Sequence, residues 1–501
     1  MKVRRVLVAN RGEIALRIVR ACHEEGLEAV AVYSDPDSSS PHVRAADAAV
    51  RIGPGPAAQS YLSIEAILAA ARATRCQAIH PGYGFLSERA VFAEAVEAAG
   101  LGFIGPPSAA IRAMGDKTQA RRRMQAAGVP VVPGGMAPLE DPREAGRLAE
   151  QLGYPVLVKA SAGGGGKGMR LVHRSADLPG ALESAASEAL KAFGDAAVYL
   201  EKYLVRPRHV EIQILADEWK TIHLGERECS IQRRHQKLLE ESPSLAVSPQ
   251  LRREMGQAAV AAANAVRYRG AGTCEFLLDA SGRFYFLEMN TRIQVEHPVT
   301  EAVYGVDLVR EQLRIARGRG MSVSEWPLHP RGHAIECRIT SEDPANGFLP
   351  STGRIEFLRV PTGPGVRWDA GIELGDQIGL HYDSLLAKLI VHAEDRAAAI
   401  RRMLRALEEL VLIGITSNVG FFRRLLTDAD FRQGEVDIQF LERRTDLVAP
   451  VEDIARDQRI AIAVALAEAE RRAVASPGSI ASEAQANGDA WMESVRLDAL
   501  R

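Results

Sequence analysis

The chain has 501 residues, and its 62 Lys and Arg nearly balance its 64 Asp and Glu to leave a net charge of −2. At about 100 to 200 residues per domain, this length predicts three or four structural units and excludes a peptide, a disulfide miniprotein or a small binding module. The balanced charge disfavours nucleic acid and anionic membranes as partners. A hydrophobic content of 47% and a charged content of 25% are those of an ordinary globular protein.

The cysteines and the apolar segments predict a location. The five cysteines are scattered and never spaced C-x-x-C, which favours free thiols in a reducing compartment, here the cytoplasm, over disulfides or a zinc knuckle. The apolar stretch before Asn10 is too short for a signal-peptide core. No apolar run approaches the ~20 residues of a membrane span. We therefore expect no membrane partner.

The first part of the chain, to about residue 115, repeats an alternation of apolar strand, turn and helix. Short apolar runs at 6–9, 29–33 and 78–79 are each followed by a turn, and a final run spans 101–106. Strands that alternate with helices predict a parallel α/β unit. Because this unit lacks a G-x-G-x-x-G sequence, we interpret it as a scaffold and not as a nucleotide site in its own right.

The rest of the chain divides into three segments with different predicted secondary structure. Residues 116–203 carry strand signals at 156–159 and 198–201, on either side of a glycine loop. Residues 204 to about 445 alternate short strands and helices with frequent Gly and Pro turns, which predicts a large antiparallel α+β core. Beyond 445, an Ala-rich segment at 460–475 predicts a helix, a small-residue linker follows, and Trp491 opens a last helical piece.

The glycine loop at 163–168 has the sequence GGGGKG. It is not a Walker A loop, because Lys167 is followed by glycine and not by Ser or Thr. Consecutive glycines leave backbone N–H groups open to an anion, and Lys159 and Lys167 place positive charge at both sides. We predict a mobile lid over nucleotide phosphates. A flexible surface linker is the alternative, and the strand signal directly before the loop disfavours it.

Residues 273–278 and 283–290 read as the two strands of a β-hairpin. A two-residue loop at 281–282 would place Glu275 directly opposite Glu288, whereas a longer loop would shift the register. Like charges at opposite positions destabilise a sheet unless a cation neutralises them, so we predict a hard cation with oxygen ligands, specifically magnesium beside nucleotide phosphates. Two solvated glutamates on an exposed face are the alternative, but the apolar neighbour Phe286 argues against full exposure.

Polar residues continue at every second position beyond this hairpin. If the strand extends to residue 296, one face carries Glu288, Asn290, Arg292, Gln294 and Glu296. Arg292 offers a planar fork for a carboxylate-like anion, and Glu296 lies near enough to remove a proton from that anion. A solvated edge strand is the alternative, and the mostly apolar odd positions disfavour it.

Spacing alone leaves three further features undecided. The polar cluster at 232–237 is typical of a solvated loop, and His209 and Cys229 read singly as structural residues. Arg338 shares a strand face with Glu336, so its position fits both a catalytic cation and one partner of a salt bridge.

Together these segments resemble biotin carboxylase, the ATP-grasp subunit of the biotin-dependent carboxylases. The resemblance rests on NRGEIA at 10–15, HPGYGFLSE at 80–88, Lys159 with its glycine loop, the cluster at 232–237 and the segment EMNTRIQVEHPVTE. It runs from about residue 2 to about 445 and implies a mixed α/β and α+β, ATP-grasp fold. The implied parts are a Rossmann-like N-terminal domain at 1–115, a lid at 116–203, a catalytic core at 204–330, a C-terminal biotin carboxylase domain at 331–445 and a tail at 446–501.

The resemblance also implies a reaction and the residues that perform it. ATP and bicarbonate would form carboxyphosphate, with two Mg²⁺ or Mn²⁺ ions, and its CO2 would pass to biotin. The residues implied in ATP binding are Lys117, Lys159, Gly165, Gly166, Glu201, Lys202, Leu204, His209, Gln232 and His235. The implied metal ligands are Glu275, Glu288 and Asn290. The residues implied in bicarbonate binding are Lys237, Arg292, Gln294 and Val295, with Glu296 as the base. Arg338 would stabilise the biotin enolate, and both Arg338 and Tyr83 are implied in substrate binding.

The implied partners lie on other chains. No Ala-Met-Lys-Met biotinylation sequence occurs, which predicts a separate biotin carboxyl carrier protein and a separate carboxyltransferase. The resemblance implies a homodimer. The final acceptor stays open among acetyl-CoA, propionyl-CoA, another acyl-CoA and pyruvate; an acetyl-CoA carboxylase of fatty acid biosynthesis is one setting. The tail is similar to the start of the extension in longer acyl-CoA carboxylase subunits, where Trp491 either docks a partner or lies in an unstructured terminus.

Two other functions stand beside this one. Another ATP-grasp ligase would join a carboxylate to an amine and share the ATP and metal residues, but the row from Arg292 to Glu296 together with Arg338 disfavours it. A catalytically silent subunit that senses nucleotide or carrier is disfavoured by the acids and bases present at every implied position.

Overall fold

The structure is a computed structural model that describes residues 3–135, 139, 141–160, 169–193, 195–323, 327–449, 462, 465 and 466. The chain divides into two compact units, Met1–Val448 and Ala449–Arg501. The predicted glycine lid at 163–168 and Trp491 lie outside the described residues, as does the predicted helix at 460–475 apart from three helical residues. Among the residues that are described, no helix is long and apolar enough to cross a bilayer.

A five-stranded parallel sheet in the order β3-β2-β1-β4-β5 forms the N-terminal part, as the alternation of strands and helices predicts. Its elements are β1 (Arg5–Val8), α1 (Gly12–Glu24), β2 (Glu28–Ser34), α2 (Pro41–Ala45), β3 (Ala48–Gly53), α3 (Ile64–Ala73), β4 (Ala78–His80), α4 (Ala90–Ala98), β5 (Gly102–Phe103) and α5 (Ser108–Gly115). Because β1 and β4 are parallel neighbours, the turns that follow them meet at one edge. There Asn10 Nδ2 donates to the carbonyls of Pro81 and Tyr83, each at 2.7 Å.

A small antiparallel sheet in the order β7-β6-β8 follows. The elements of this part are α6 (Lys117–Ala126), α7 (Pro142–Leu152), β6 (Val156–Ala160), β7 (Met169–Val172), α8 (Leu178–Phe193) and β8 (Val198–Lys202). Alternate residues of β6, Val156 and Val158, are fully buried in a core shared with α7 and α8. The other face of β6 carries Lys159, which lines a cleft of the molecule.

An eight-stranded antiparallel sheet in the order β13-β12-β9-β10-β11-β14-β21-β19 forms the centre of the first unit, as predicted for an α+β core. Its first elements are β9 (Arg208–Ala216), β10 (Thr221–Arg233), β11 (Gln236–Ser242), α9 (Pro249–Ala265), β12 (Gly270–Leu278), β13 (Phe284–Asn290), α10 (His297–Tyr304), α11 (Leu308–Ala316) and β14 (His333–Thr340). The sheet joins strands from both sides of residue 330, where the sequence predicts a domain boundary. The division into domains stays a prediction.

The last part of the first unit completes this sheet and covers it with helices. Its elements are β15 (Glu342–Asp343), β16 (Leu349–Pro350), β17 (Gly353–Arg354), β18 (Phe357–Arg359), β19 (Val366–Ala370), β20 (Gln377–Ile378), β21 (Leu385–Ala393), α12 (Arg396–Glu409), β22 (Val411–Ile413), α13 (Val419–Thr427), α14 (Ala429–Gln433) and α15 (Phe440–Arg443). Phe421, Phe422 and Leu425 of α13 are buried in one hydrophobic core with side chains of β14, β21 and α12.

Candidate active site

A cleft of about 930 Å³ is lined by residues of the N-terminal sheet edge, the small sheet and the eight-stranded sheet. Every predicted site residue whose side chain is described lines it. These residues are Tyr83, Lys159, Glu201, Lys202, Leu204, His209, Gln232, His235, Lys237, Glu275, Glu288, Asn290, Arg292, Gln294, Val295, Glu296 and Arg338. Gly165, Gly166 and the side chain of Lys117 lie outside the described residues.

Lys237 is the central cation of this cleft. It follows the tight turn between β10 and β11, where Arg234 and His235 take positive φ angles of 48° and 66°. Its ammonium donates to Glu211 Oε2 at 2.6 Å, Glu275 Oε1 at 2.8 Å and Glu296 Oε1 at 2.7 Å. Burial alone would lower the pKa of Lys237, but the three carboxylates raise that pKa well above 10.5. Lys237 is therefore charged.

Glu296 lies at the N-cap of α10 and bridges two of the cations that line the cleft, Lys237 and Arg338. Its Oε1 accepts from Lys237 and its Oε2 accepts from Arg338 Nη2 at 3.0 Å. Burial alone would raise the pKa of Glu296, but Lys237, Arg338 and Arg227 together lower it far below 4.5. This carboxylate is ionised, as a proton acceptor must be.

The hairpin places Glu275 of β12 opposite Glu288 of β13, which confirms the predicted pair of carboxylates. The predicted two-residue loop is wrong. Leu278 pairs with Phe284, so the loop is longer and shifts the register next to the turn. A register shift between the pairs of Glu275 and Phe276, at the extra residue Leu287, restores the predicted pairing beyond it.

The Glu275 carboxylate is surrounded by polar side chains. Its Oε1 accepts from Lys237, from Asn290 Nδ2 and from Gln294 Nε2, each at 2.8 Å, and His209 Nε2 lies 2.9 Å from its Oε2. Burial would raise the pKa of Glu275, but Lys237 and His209 hold it well below 4.5. An ionised Glu275 opposite Glu288, beside the Asn290 amide, is a set of oxygen donors that suits Mg²⁺ or Mn²⁺.

The predicted continuation of β13 to residue 296 is wrong, because the strand ends at Asn290. The amide of Thr291 donates to Glu88 Oε1 at 3.1 Å and not to a neighbouring strand, and Pro298 lies in the first turn of α10. The polar residues therefore do not form one row. Glu288 and Asn290 line the cleft from β13, and Arg292, Gln294 and Glu296 line it from the irregular segment that follows. In that segment Arg292 Nε donates to Glu88 Oε2 at 2.8 Å and Nη2 donates to Asn290 Oδ1 at 3.0 Å.

Arg338 does not form the salt bridge with Glu336 that its spacing allowed. Its Nε donates to Glu240 Oε1 at 2.6 Å, and its Nη2 donates to Glu296. Tyr83 lies across the cleft on the turn after β4, where its hydroxyl donates to Glu13 Oε1.

The small sheet and the link to β9 form the other end of the cleft. Glu201 of β8 forms ion pairs with Arg121 and with Lys159, whose Nζ lies 2.5 Å from Glu201 Oε2. The Lys202 ammonium donates to the Gly153 carbonyl at 2.7 Å, and β8 ends at Lys202, two residues before Leu204. This end of the cleft therefore carries the cations Arg121, Lys159 and Lys202.

Sequence reasoning missed several acids and one cation that organise the site. Arg227 is fully buried and bonds to Glu211 at 2.5 Å and to Gln213 at 2.7 Å. The available signal was His209, Glu211 and Gln213 alternating with aliphatic residues in β9, a strand buried almost throughout. Polar groups inside such a strand need partners, so they indicate an internal network.

Three family descriptions match successive parts of the chain. "Biotin carboxylase, N-terminal domain" matches residues 2–111, "Carbamoyl-phosphate synthase L chain, ATP binding domain" matches 116–324, and "Biotin carboxylase C-terminal domain" matches 336–443. The biotin carboxylase of Nostoc sp. is 54% identical over 443 residues, which are 88% of this chain and 99% of the relative. The biotin carboxylase of Haemophilus influenzae is 51% identical over 442 residues, or 88% of this chain and 98% of the relative.

Solved structures of biotin carboxylases are also similar to this chain. The biotin carboxylase domain dimer of Hydrogenobacter thermophilus 2-oxoglutarate carboxylase, solved with MgADP, ADP and bicarbonate, has a TM-score of 0.84 and 46% identity and covers 90% of this chain and 100% of that one. The Campylobacter jejuni biotin carboxylase β,γ-ATP complex has a TM-score of 0.83 and 45% identity and covers 88% and 99%.

The fold and the cleft define an ATP-grasp ligase with a Rossmann-like N-terminal part. The chain belongs to the biotin carboxylase family. The predictions of the family, the fold class and an ATP-dependent ligase that carboxylates biotin are confirmed.

Proposed function

We propose that this cleft binds ATP, Mg²⁺ or Mn²⁺, bicarbonate and biotin at the residues that the sequence predicts. ATP lies toward the small sheet, with Lys159 and His235 beside its phosphates and the backbone at Glu201 to Leu204 beside adenine. Lys117, Gly165 and Gly166 complete this set on sequence grounds. Lys202, His209 and Gln232 belong to the same set and line the same cleft.

Glu275, Glu288 and Asn290 hold the divalent cations, two in number. Two observations support this assignment. Glu275 and Glu288 are opposed across the strand pair, where like charges are destabilising without a cation, and Glu275 is ionised. A cation at this position supplies charge neutralisation to the phosphate oxygens of ATP.

Bicarbonate binds between Arg292, Gln294, Val295 and Lys237. When an anion engages Lys237 and Arg338, it takes up part of the positive charge that lowers the pKa of Glu296, so Glu296 becomes a stronger base. Glu296 then removes the proton of bicarbonate, and the bicarbonate oxygen attacks the γ-phosphorus. ADP leaves and carboxyphosphate forms.

Carboxyphosphate breaks down to CO2 and phosphate within the closed site. The phosphate removes the ureido proton of biotin, and the resulting enolate attacks CO2 to give carboxybiotin. Arg338, with a pKa raised by Glu240 and Glu296 despite the opposing effect of burial, stays charged and stabilises the enolate oxygen. Tyr83 contacts biotin from the opposite wall.

The partners and the location follow the same reasoning. Biotin arrives on a separate carrier protein, a separate carboxyltransferase passes the carboxyl group on, and two copies of this chain form a homodimer. The five cysteines are all free and buried, which supports the cytoplasm as the compartment. The division at residues 115, 203, 330 and 445 is the domain organisation we propose.

The convergence of Lys237 and Arg338 on Glu296 carries this proposal, because a base between two anion-binding cations suits bicarbonate activation. The test is phosphate release from ATP with Mg²⁺, measured without bicarbonate, with bicarbonate, and with bicarbonate plus free biotin. We expect turnover to require bicarbonate and to rise with biotin. Turnover that ignores both compounds but responds to a carboxylate and an amine would assign the cleft to another ATP-grasp ligase, and the roles of Arg292, Glu296 and Arg338 would fall.

A further inference from the structure

Arg338 is held by two carboxylates, and one of them has no role in the reaction described above. Arg338 Nε donates to Glu240 Oε1 at 2.6 Å, and its Nη2 lies 2.5 Å from the same oxygen. Glu240 lies on β11 with no exposed surface and is absent from the cleft lining, unlike Glu296. Glu240 therefore reaches a substrate only through Arg338.

A second buried carboxyl group lies directly across the sheet from Glu240. The pairing of β11 with β14 makes Glu336 its Cα partner, and Glu336 is also fully buried. Within the described part of the chain, neither oxygen of Glu336 has a hydrogen-bond partner, and Glu240 Oε2 has none. Opposed side chains lie about 5 Å apart at Cβ, so two adjacent ionised carboxylates without donors would be strongly unfavourable.

One of the two groups must therefore be protonated, and the contacts decide which. Arg338 donates to Glu240, so negative charge is stabilised there. Lys388 of β21, whose charge also acts on Glu336, donates to the Val295 carbonyl at 2.8 Å and lies 3.0 Å from Glu13 Oε1. Burial raises the pKa of Glu336 well above 4.5 and the pKa of Glu240 to about 7.

The surrounding titratable groups come from each element packed against this pair. They are Tyr83 after β4, Cys229 of β10, Lys237 of β11, Glu296 before α10, Cys337 and Arg338 of β14 and Lys388 of β21. Glu13 of α1, His297 of α10 and Asp369 of β19 interact in turn with Lys388. Lys237 is already shared by three carboxylates other than Glu240. Arg338 is thus the cation on which the ionisation of Glu240 depends.

We propose that Glu240 is a positioning residue for Arg338, holding the plane of its guanidinium toward the reacting biotin, and that Glu336 is the neutral carboxyl group that lets Glu240 carry the charge. This inference rests on the proposed function, because it concerns the step that Arg338 performs on biotin. It adds to that function an acid that touches no substrate.

The test compares Glu240→Gln with the matched control Glu336→Gln. Both changes replace a buried glutamate by its isosteric amide at opposed positions of the same strand pair. Four quantities are measured: bicarbonate-dependent ATP hydrolysis without biotin, kcat with biotin, KM for ATP, and the thermal unfolding midpoint. The kcat with biotin is followed from pH 6 to pH 9.

For Glu240→Gln we expect kcat with biotin to fall about tenfold to a hundredfold, as for the loss of one charged hydrogen bond. We expect KM for ATP and hydrolysis without biotin to stay within about twofold. Burial raises the pKa of Glu240 to about 7, so the wild-type kcat with biotin should decrease as the pH falls below about 7. Glu240→Gln should lack this decrease, which is called the acid limb below. Glu336→Gln should keep both the rate and the limb, because Glu336 is already neutral.

Glu240→Asp keeps the negative charge, and it provides a second test if the Glu240→Gln variant does not fold. We expect it to retain the acid limb at an intermediate rate. The inference is overturned if Glu240→Gln keeps its biotin-dependent kcat within twofold, if both rates fall together with the unfolding midpoint, or if Glu336→Gln is equally damaging. Wild-type protein with no biotin-stimulated turnover would instead overturn the proposed function, and the inference with it, before any variant is compared.

Discussion

Replacement of Glu296 by Gln removes the proposed base and, at the same time, an acceptor that Lys237 and Arg338 share. The Glu296 carboxylate accepts from Lys237 at 2.7 Å and from Arg338 at 3.0 Å. An amide in its place can accept at one atom only and turns an N–H group toward the other cation. Lys237 keeps Glu211 and Glu275 as partners, so we expect the protein to fold.

The expected loss follows from these contacts. A positioned general base contributes typically 10²–10⁴-fold, so bicarbonate-dependent ATP hydrolysis should fall at least about 100-fold and at most about 10,000-fold. ADP affinity should stay within about threefold, because Glu296 bonds to Lys237 and Arg338 and not to the residues at the adenine end of the cleft. Phosphate release and isothermal titration with MgADP measure the two quantities.

Glu301→Gln is the matched control for this substitution. Glu301 is a buried acid on the same helix, paired with Arg17 and Arg367, and it does not line the cleft. We expect it to lower the unfolding midpoint while keeping kcat within about threefold. The reasoning is refuted if Glu296→Gln retains more than a tenth of wild-type turnover, or if ADP binding and turnover are lost in equal measure.

Three further predictions concern other parts of the site and its support. Arg338→Ala should lower biotin-dependent turnover about 100- to 1000-fold, with a smaller loss in hydrolysis without biotin, measured side by side. Glu288→Gln should raise the Mg²⁺ concentration for half-maximal turnover about tenfold, in a metal titration, with no change in the unfolding midpoint. Although burial would raise the pKa of Glu241, His333 and Arg396 lower it to about 2, so this acid stabilises the fold above about pH 4.5 and the stabilisation is lost as the pH falls toward 2. Arg396→Met should therefore move the acid unfolding midpoint upward, followed by circular dichroism.

The opposed glutamates show that a correct prediction can rest on an incorrect step. Period two and the strand signals suffice to pair β12 with β13, and Glu275 does lie opposite Glu288. The loop is longer than predicted, and the register near the turn is shifted by one residue until Leu287 compensates. A bulge leaves no clear trace in residue spacing, because it changes pairing without changing the alternation on either side.

The parallel N-terminal sheet and the antiparallel core could be predicted because each depends on local patterns of apolar residues and turns. The end of β13 could not, because the alternation of polar and apolar residues continues to Glu296 after the strand has stopped at Asn290. The backbone of Thr291 leaves the sheet for Glu88, a residue 203 positions away. Tertiary contacts thus override a periodic pattern that is correct about polarity and wrong about conformation.

Arg338 shows most directly why spacing does not assign a partner. Glu336 lies two positions away on the same strand face, and on spacing alone it is the obvious acid. The pairing of β11 with β14 brings Glu240 to that face from 98 residues away, and the segment before α10 adds Glu296 from 42 residues away. No local pattern contains either acid. The guanidinium therefore binds the two carboxylates that the fold supplies, while the local acid is left buried, without a hydrogen-bond partner among the described residues, and with its proton.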